Sequence, residues 1–243
     1  MRNPSIFKPD EIHVWINHYN DSESLSGTII SFLSASEIKR ANAFRFNEDR
    51  KRYIQAHALL RIILSEYTGI LPREINYNIG PHGKPCLSPS STVNFNLSHT
   101  KEMIAVAISP EYNIGIDIEK LACMDDMESV AHQFMSREEY NTMSFMKADA
   151  KKDYFYQCWV QKEALVKASG RGIDDHLCSF SVMNGLHPGA TKTISTCFKE
   201  TPNTWSLKIF ELAHDHIGAV CAESSDAQAL SIKLRHDNVF ESY

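Results

Sequence analysis

Residues 113–120 read NIGIDIEK, and residues 159–172 read WVQKEALVKASGRG. In the first stretch, β-branched residues alternate with Gly115, Asp117 and Glu119, the period-two pattern of a strand. That period puts Asp117 and Glu119 on one face and turns Ile116 and Ile118 toward a core. Two neighbouring carboxylates repel unless a cation or a basic group lies between them. Hard oxygen donors of this kind suit magnesium, which commonly takes one or two carboxylates plus substrate phosphates. Taken alone, a D-x-E strand describes a solvated edge equally well. The second stretch reads as the end of a helix over about 150–169 that stops at Gly170 and Gly172. Glu163 and Lys167 share a face there, and Trp159 lies one turn earlier on the same side. An exposed ion pair is the plain alternative. A third carboxylate is nevertheless what the strand pair needs, and Lys167 can neutralise phosphate charge.

Outward from these stretches the chain alternates in kind. IHVWIN is a short strand, and from Ser36 the pattern turns helical. A stronger helix covers about Glu48–Tyr67, where Tyr53, Ala56, Leu60, Ile63, Leu64 and Tyr67 form a stripe ending near Gly69. INYNI, VNFNLS and MIAVAIS read as strands, with the turn GPHGKP after the first. One helix is expected over 126–146, with a capping box of Ser136 and Glu139. SFSV, KTISTCF, WSLKIFEL and GAVCAE read as strands, and the residues from Ser224 onward as weakly structured. The expectation is an α+β fold of two similar halves, 1–112 and 113–243, joined near Ser109–Gly115.

Composition narrows the function. The 243 residues carry 43% hydrophobic residues and a net charge of −5, enough for packed cores and unlike a general nucleic-acid coat. Six scattered cysteines form no C-x-x-C pair, which points to reduced, mostly buried thiols. The start, MRNPSIFKPDEIHVWIN, has no signal-peptide pattern, and no apolar run is long enough for a membrane, so a cytoplasmic protein is expected. FNLSHT places Ser98 and His99 directly after a strand, without a G-x-S-x-G elbow. Phosphate donors fit better than a nucleophile and base. HDH at 214–216 reads as a solvated strand or turn. From Glu37 to Arg61, seven basic residues (Lys39, Arg40, Arg45, Arg50, Lys51, Arg52, Arg61) face three acidic ones. They form either a polyanion site or a solvated helix face.

Four ordered blocks, RFNEDRKRYIQAHALLR, GKP, FNLSHT with GIDIE, and WVQKEALVKASGRG, together resemble the Sfp-type 4′-phosphopantetheinyl transferases. The resemblance covers about Lys39–Gly172. It implies the family's pseudo-twofold pair of α+β halves, with the active site in the cleft between them. It also implies magnesium, or manganese in its place, at Asp117, Glu119 and Glu163, with Asp117, Glu163 and Lys167 as the catalytic set. Coenzyme A as co-substrate falls to Arg40, Arg52, Lys84, Pro85, Ser98, His99 and Lys162. His99, Arg52 and Arg40 match residues around the 3′-phosphate, and Lys84 and Pro85 flank the adenine. SHT stands here for the family's SHS, and Glu37 occupies a place where relatives often carry a basic residue.

The implied reaction moves the phosphopantetheine arm of coenzyme A to a serine of an apo acyl or peptidyl carrier protein, releasing 3′,5′-ADP. The carriers serve fatty-acid, polyketide or nonribosomal-peptide synthesis. Met127, Phe134, Met135 and Tyr140 are candidates for carrier docking, with core packing as the alternative. A monomer is expected, without nucleic acid or membrane. The rival functions are a metal-dependent pyrophosphate hydrolase or nucleotidyl transferase, and a basic-helix module binding RNA or an acidic protein.

Overall fold

The computed structural model describes residues 11–19, 27–88, 91–172, 177–183, 191–198, 201–213, 215–223 and 231–235. The described residues fall in two compact units, one within Met1–Asn78, Pro85–Glu111 and Ile232–Tyr243, the other within Ile79–Lys84 and Tyr112–Ser231. The fold is α+β. Each unit has a four-stranded sheet and a 22-residue helix.

In the first unit, β1 (Glu11–His18) and β4 (Asn94–His99) flank β5 (Met103–Ser109), both antiparallel to it. A strand from the far end of the chain, β10 (Ser231–Arg235), adds to the outer edge of β1. The two-residue strands β2 (Asn78–Ile79) and β3 (Pro85–Cys86) form a small ribbon around the turn at Gly83, whose φ of 87° suits glycine. INYNI is therefore strand only at its last two residues, because the ribbon closes at once through this turn.

Three helices belong to this unit: α1 (Gly27–Ser31), α2 (Ala35–Ala41) and α3 (Asn47–Thr68). Leu59, Leu60, Ile62, Ile63 and Leu64 of α3 pack with Trp15, Phe95, Ile104, Val106 and Ile108 of the sheet. Ile54 and Ala58, on another side of α3, pack with Ile29, Leu33 and Ala41. The helix is thus apolar on more than one stripe because it is covered twice. Each buried leucine or isoleucine contributes about 1.5–3 kcal/mol. Gly69 ends α3 in the left-handed region at φ 71°.

Glu37 is the polar hinge of this helical layer. It completes a capping box with Ser34, accepts from Arg61 Nε at 2.7 Å and pairs with His57 at 3.2 Å. Burial works against its charge, yet hydrogen bonds from His57 and Ser34 and the Arg61 guanidinium hold its carboxyl down at about 2. Arg61 is itself buried, donating to the Pro72 and Ile75 carbonyls and lying over Tyr77. It leaves the basic patch expected over 37–61.

In the second unit, β6 (Ile114–Lys120), β9 (His216–Glu223), β8 (Thr201–Leu212) and β7 (Thr191–Phe198) form an antiparallel sheet in that order. Residues of α6 (Ala148–Ser169) share one apolar core with Trp205, Leu207, Ile209, Ala219 and Cys221 of the sheet. Gly115 is where α6 and β6 meet most closely. A Cβ there lies 2.0 Å from the Ala164 carbonyl oxygen and 2.3 Å from the Ala168 nitrogen. Both are backbone atoms, so no flexible side chain can give way. Gly115→Ala is expected to cost about 3 kcal/mol or more, read as a lower urea midpoint at unchanged m-value. A variant as stable as the parent contradicts this packing.

The segment expected as one helix over 126–146 is two, α4 (Met127–Phe134) and α5 (Arg137–Ser144). Met135 is extended, and Ser136 starts α5 with the capping box to Glu139. The serine hydroxyl serves the new N-terminus and so breaks the run. SFSV is not a strand but starts at the last residue of a 3₁₀ turn, Leu177–Ser179. Of the tail, 231–235 is β10 rather than weakly structured, whereas 224–230 and 236–243 lie outside the described residues. His216, read as solvated, is buried at the start of β9, and His214 lies outside the described residues. The thiols of Cys86, Cys123, Cys158, Cys178 and Cys221 are free, but only Cys158 and Cys221 are buried. Among the described residues, no helix is long and apolar enough to cross a membrane.

Candidate functional site

The strand face carrying Gly115, Asp117 and Glu119 is the one α6 covers, and this brings the two quoted stretches together. Asp117 is 3% exposed, and Lys167 Nζ donates to its Oδ1 at 2.6 Å. Trp159 Nε1 donates to Glu119 Oε1 at 3.2 Å. Glu163, 8% exposed, stands midway between Trp159 and Lys167 on α6, and its buried Oε1 accepts no hydrogen bond among the described residues.

Three acids and one lysine thus share a small, mostly buried space, and their titration is coupled. Burial first, then the Asp117 charge, push Glu119 up to about 7, while the Trp159 hydrogen bond and Lys167 pull the other way. Burial and Asp117 also raise Glu163, against the pull of Lys167. A carboxyl raised in the fold stabilises it fully below the unfolded value and loses that stabilisation as pH rises through the folded value. Glu119 therefore destabilises the protein progressively between about pH 4.5 and 7. In EDTA, Glu119→Gln is expected to raise stability at pH 8 by about 1–3 kcal/mol and to leave it nearly unchanged at pH 4. Thermal melts at both values check this; an equal effect at both contradicts it.

The donor set is hard oxygen, charged and short of cations, which suits a divalent metal. Among the described residues, however, no three His, Cys, Asp or Glu side chains are already drawn together as metal ligands. Lys167 supplies the cation on Asp117 in this arrangement.

The remaining expected residues divide between the units. In the first, His99 is the exposed last residue of β4, and its neighbour Ser98 is buried on the opposite face. Thr100 caps the following turn by accepting from the Glu102 and Met103 amides, so the hydroxyl matters more than whether it belongs to serine or threonine. Arg40, exposed on α2, lies over the Tyr53 ring at 5.8 Å, and Arg52 on α3 donates to Asp49 at 2.9 Å. Pro85 is half-buried in β3. In the second unit, Lys84 donates to the Ile114 carbonyl at 2.9 Å and the Ala168 carbonyl at 3.0 Å, tying the start of β6 to the end of α6.

Lys162 is a correction. It is 1% exposed and ion-paired with Glu139 at 2.8 Å, and its ammonium donates to the Leu177 and Phe180 carbonyls. A lysine held this way is structural and does not reach a cofactor. It also explains the irregular SFSV segment. Buried side chains bind that backbone, with Glu139 Oε1 accepting from the Val182 amide, in place of a strand ladder. Phe134 and Met135 are likewise core residues at 3% exposure, so neither offers a docking surface. Met127 and Tyr140 are partly buried against the same core.

Known sequences match this architecture in two adjoining parts. The profile of the 4′-phosphopantetheinyl transferase superfamily matches residues 113–221, and that of the 4′-phosphopantetheinyl transferase N-terminal region matches 18–111. 4′-Phosphopantetheinyl transferase Sfp of Bacillus subtilis (strain 168) is 30% identical over 208 residues, 84% of this chain and 88% of its own. The chain belongs to the 4′-phosphopantetheinyl transferase superfamily. The transferase is also similar to HetI of Nostoc sp. (strain PCC 7120), at 35% identity over 68% of this chain and 70% of the relative. To AcpT of Salmonella typhimurium it is 34% identical over 45% of this chain and 56% of the relative. The carboxylates of β6 and the whole of α6 fall inside the 113–221 match, and His99 and the basic helices inside the 18–111 match.

Proposed function

We propose that the transferase moves the phosphopantetheine arm of coenzyme A to a serine of an apo acyl or peptidyl carrier protein, with magnesium held by Asp117, Glu119 and Glu163. The observation that carries this is the buried Asp117–Glu119–Glu163 cluster beside Lys167 in a chain of this superfamily. Bound magnesium, or manganese in its place, supplies positive charge opposite the pyrophosphate. The carrier serine oxygen bonds to the β-phosphorus of coenzyme A, and the bond from that phosphorus to the bridging oxygen breaks. The electron pair leaves with 3′,5′-ADP. Lys167 stabilises the charge that develops on the phosphates. Glu163 accepts the serine proton, its affinity for protons being raised by burial and by the Asp117 charge.

His99, Arg40 and Arg52 hold the 3′-phosphate end of coenzyme A, with Ser98 on the phosphates by way of the strand end it buries, and Pro85 flanks the adenine. Lys84 contributes through the turn it anchors, since its ammonium is engaged with the Ile114 and Ala168 carbonyls. In this reading the nucleotide-end contacts fall within residues 1–112 and the transfer chemistry within residues 113–243. The transferase works as a cytoplasmic monomer without nucleic acid or membrane.

His99→Ala is expected to raise the KM for coenzyme A about tenfold and leave kcat within about threefold, as for lost ground-state binding. An unchanged KM removes His99 from the phosphate site. The reaction class is tested by following 3′,5′-ADP by chromatography with and without apo carrier protein. Release that requires the carrier supports the transfer. Release at the same rate without carrier makes the protein a hydrolase and overturns it.

A further inference from the structure

Trp159 is joined to two layers at once. Its ring packs edge-on against Phe134 at 4.9 Å and lies nearly parallel to Phe155 at 6.4 Å, within the aromatic part of the second core. Its Nε1 reaches out of that core to Glu119 Oε1 at 3.2 Å. This is the one hydrogen bond that the Glu119 carboxylate makes among the described residues. Glu119 is half-buried, and repulsion from Asp117 and Glu163 acts to turn it away.

The chemistry of the donor matters. An indole N–H donates only and cannot ionise. It therefore fixes one carboxylate oxygen without adding a positive charge that competes with a cation. Lys167, which holds Asp117, brings such a charge. The aromatic packing removes the rotamer freedom a flexible polar donor keeps, so the carboxylate is held by a rigid arm.

We propose that Trp159 is a positioning residue for Glu119: its N–H holds Oε1 and leaves the other oxygen as the one available to a divalent cation. This rests on the metal assignment above. It assigns the tryptophan a role other than packing, because the N–H, not the ring, is the functional part.

The test is a double-mutant cycle in manganese binding, read from the paramagnetic resonance of free Mn²⁺. The proteins are the parent, Trp159→Phe, Glu119→Gln and the double variant. Removing an outer hydrogen bond to a ligand typically weakens metal binding about 10–100-fold. Trp159→Phe is expected to show that loss in the parent background and less than about twofold in the Glu119→Gln background. The same loss in both backgrounds means the ring acts through packing and overturns the proposal, as does no loss at all. If Trp159→Phe folds poorly, 3-benzothienylalanine at position 159 keeps the ring shape and removes only the N–H. If the parent binds no manganese, the metal assignment fails on its own. The same cycle on kcat for transfer then decides only whether Trp159 positions Glu119: coupling keeps that role without the cation, and independence overturns it.

Discussion

Asp117→Asn is expected to abolish phosphopantetheine transfer, lowering kcat by about a thousandfold or more, while the protein stays folded. Asp117 is the most buried carboxylate of the cluster and the one Lys167 holds. The substitution keeps the shape but removes the charge. It deprives Lys167 of its ion pair, and it relieves Glu119 of the repulsion that helps lift it to about 7. The expected signature is therefore double: activity is lost, while apo stability at pH 8 is unchanged or higher. Turnover within tenfold of the parent in a folded Asp117→Asn protein rules out this carboxylate as a participant.

The second large effect concerns stability. Lys162→Met is expected to cost about 3–5 kcal/mol, because it leaves Glu139 charged, unpaired and fully buried and strips the Leu177 and Phe180 carbonyls of their donor. Adding Glu139→Gln, which removes the uncompensated charge and keeps an acceptor for one of the Ser136 and Val182 amides, is expected to recover part of that loss. Urea denaturation of the single and double variants measures both. A single variant within about 1 kcal/mol of the parent contradicts the buried ion pair.

The two long helices were legible because their signals are local. Expected over Glu48–Tyr67 and about 150–169, they run over Asn47–Thr68 and Ala148–Ser169, each closed by a glycine at positive φ. The same is true of the strand bearing Asp117 and Glu119, whose period-two pattern places both acids on one face. What the sequence hid depends on partners distant in the chain. Lys162 lies next to Glu163 in a charged motif, and nothing nearby says that it is buried against Glu139, with its proton donors aimed at residues 15 and 18 positions ahead. Arg61 looked like part of a basic face until Glu37, 24 residues earlier, was seen to claim it. β10 pairs with β1 across almost the whole chain, a contact that no local periodicity announces. Gly115 reads as an ordinary strand glycine until the α6 backbone is found lying on it.

The most direct test of the central claim is the intact mass of an apo carrier protein after incubation with the transferase, coenzyme A and magnesium. The account predicts a gain of one phosphopantetheine arm on the carrier, lost when EDTA is added or when Asp117→Asn replaces the parent. No gain on fatty-acid, polyketide or peptidyl carriers, or a gain indifferent to EDTA and to Asp117, would contradict it.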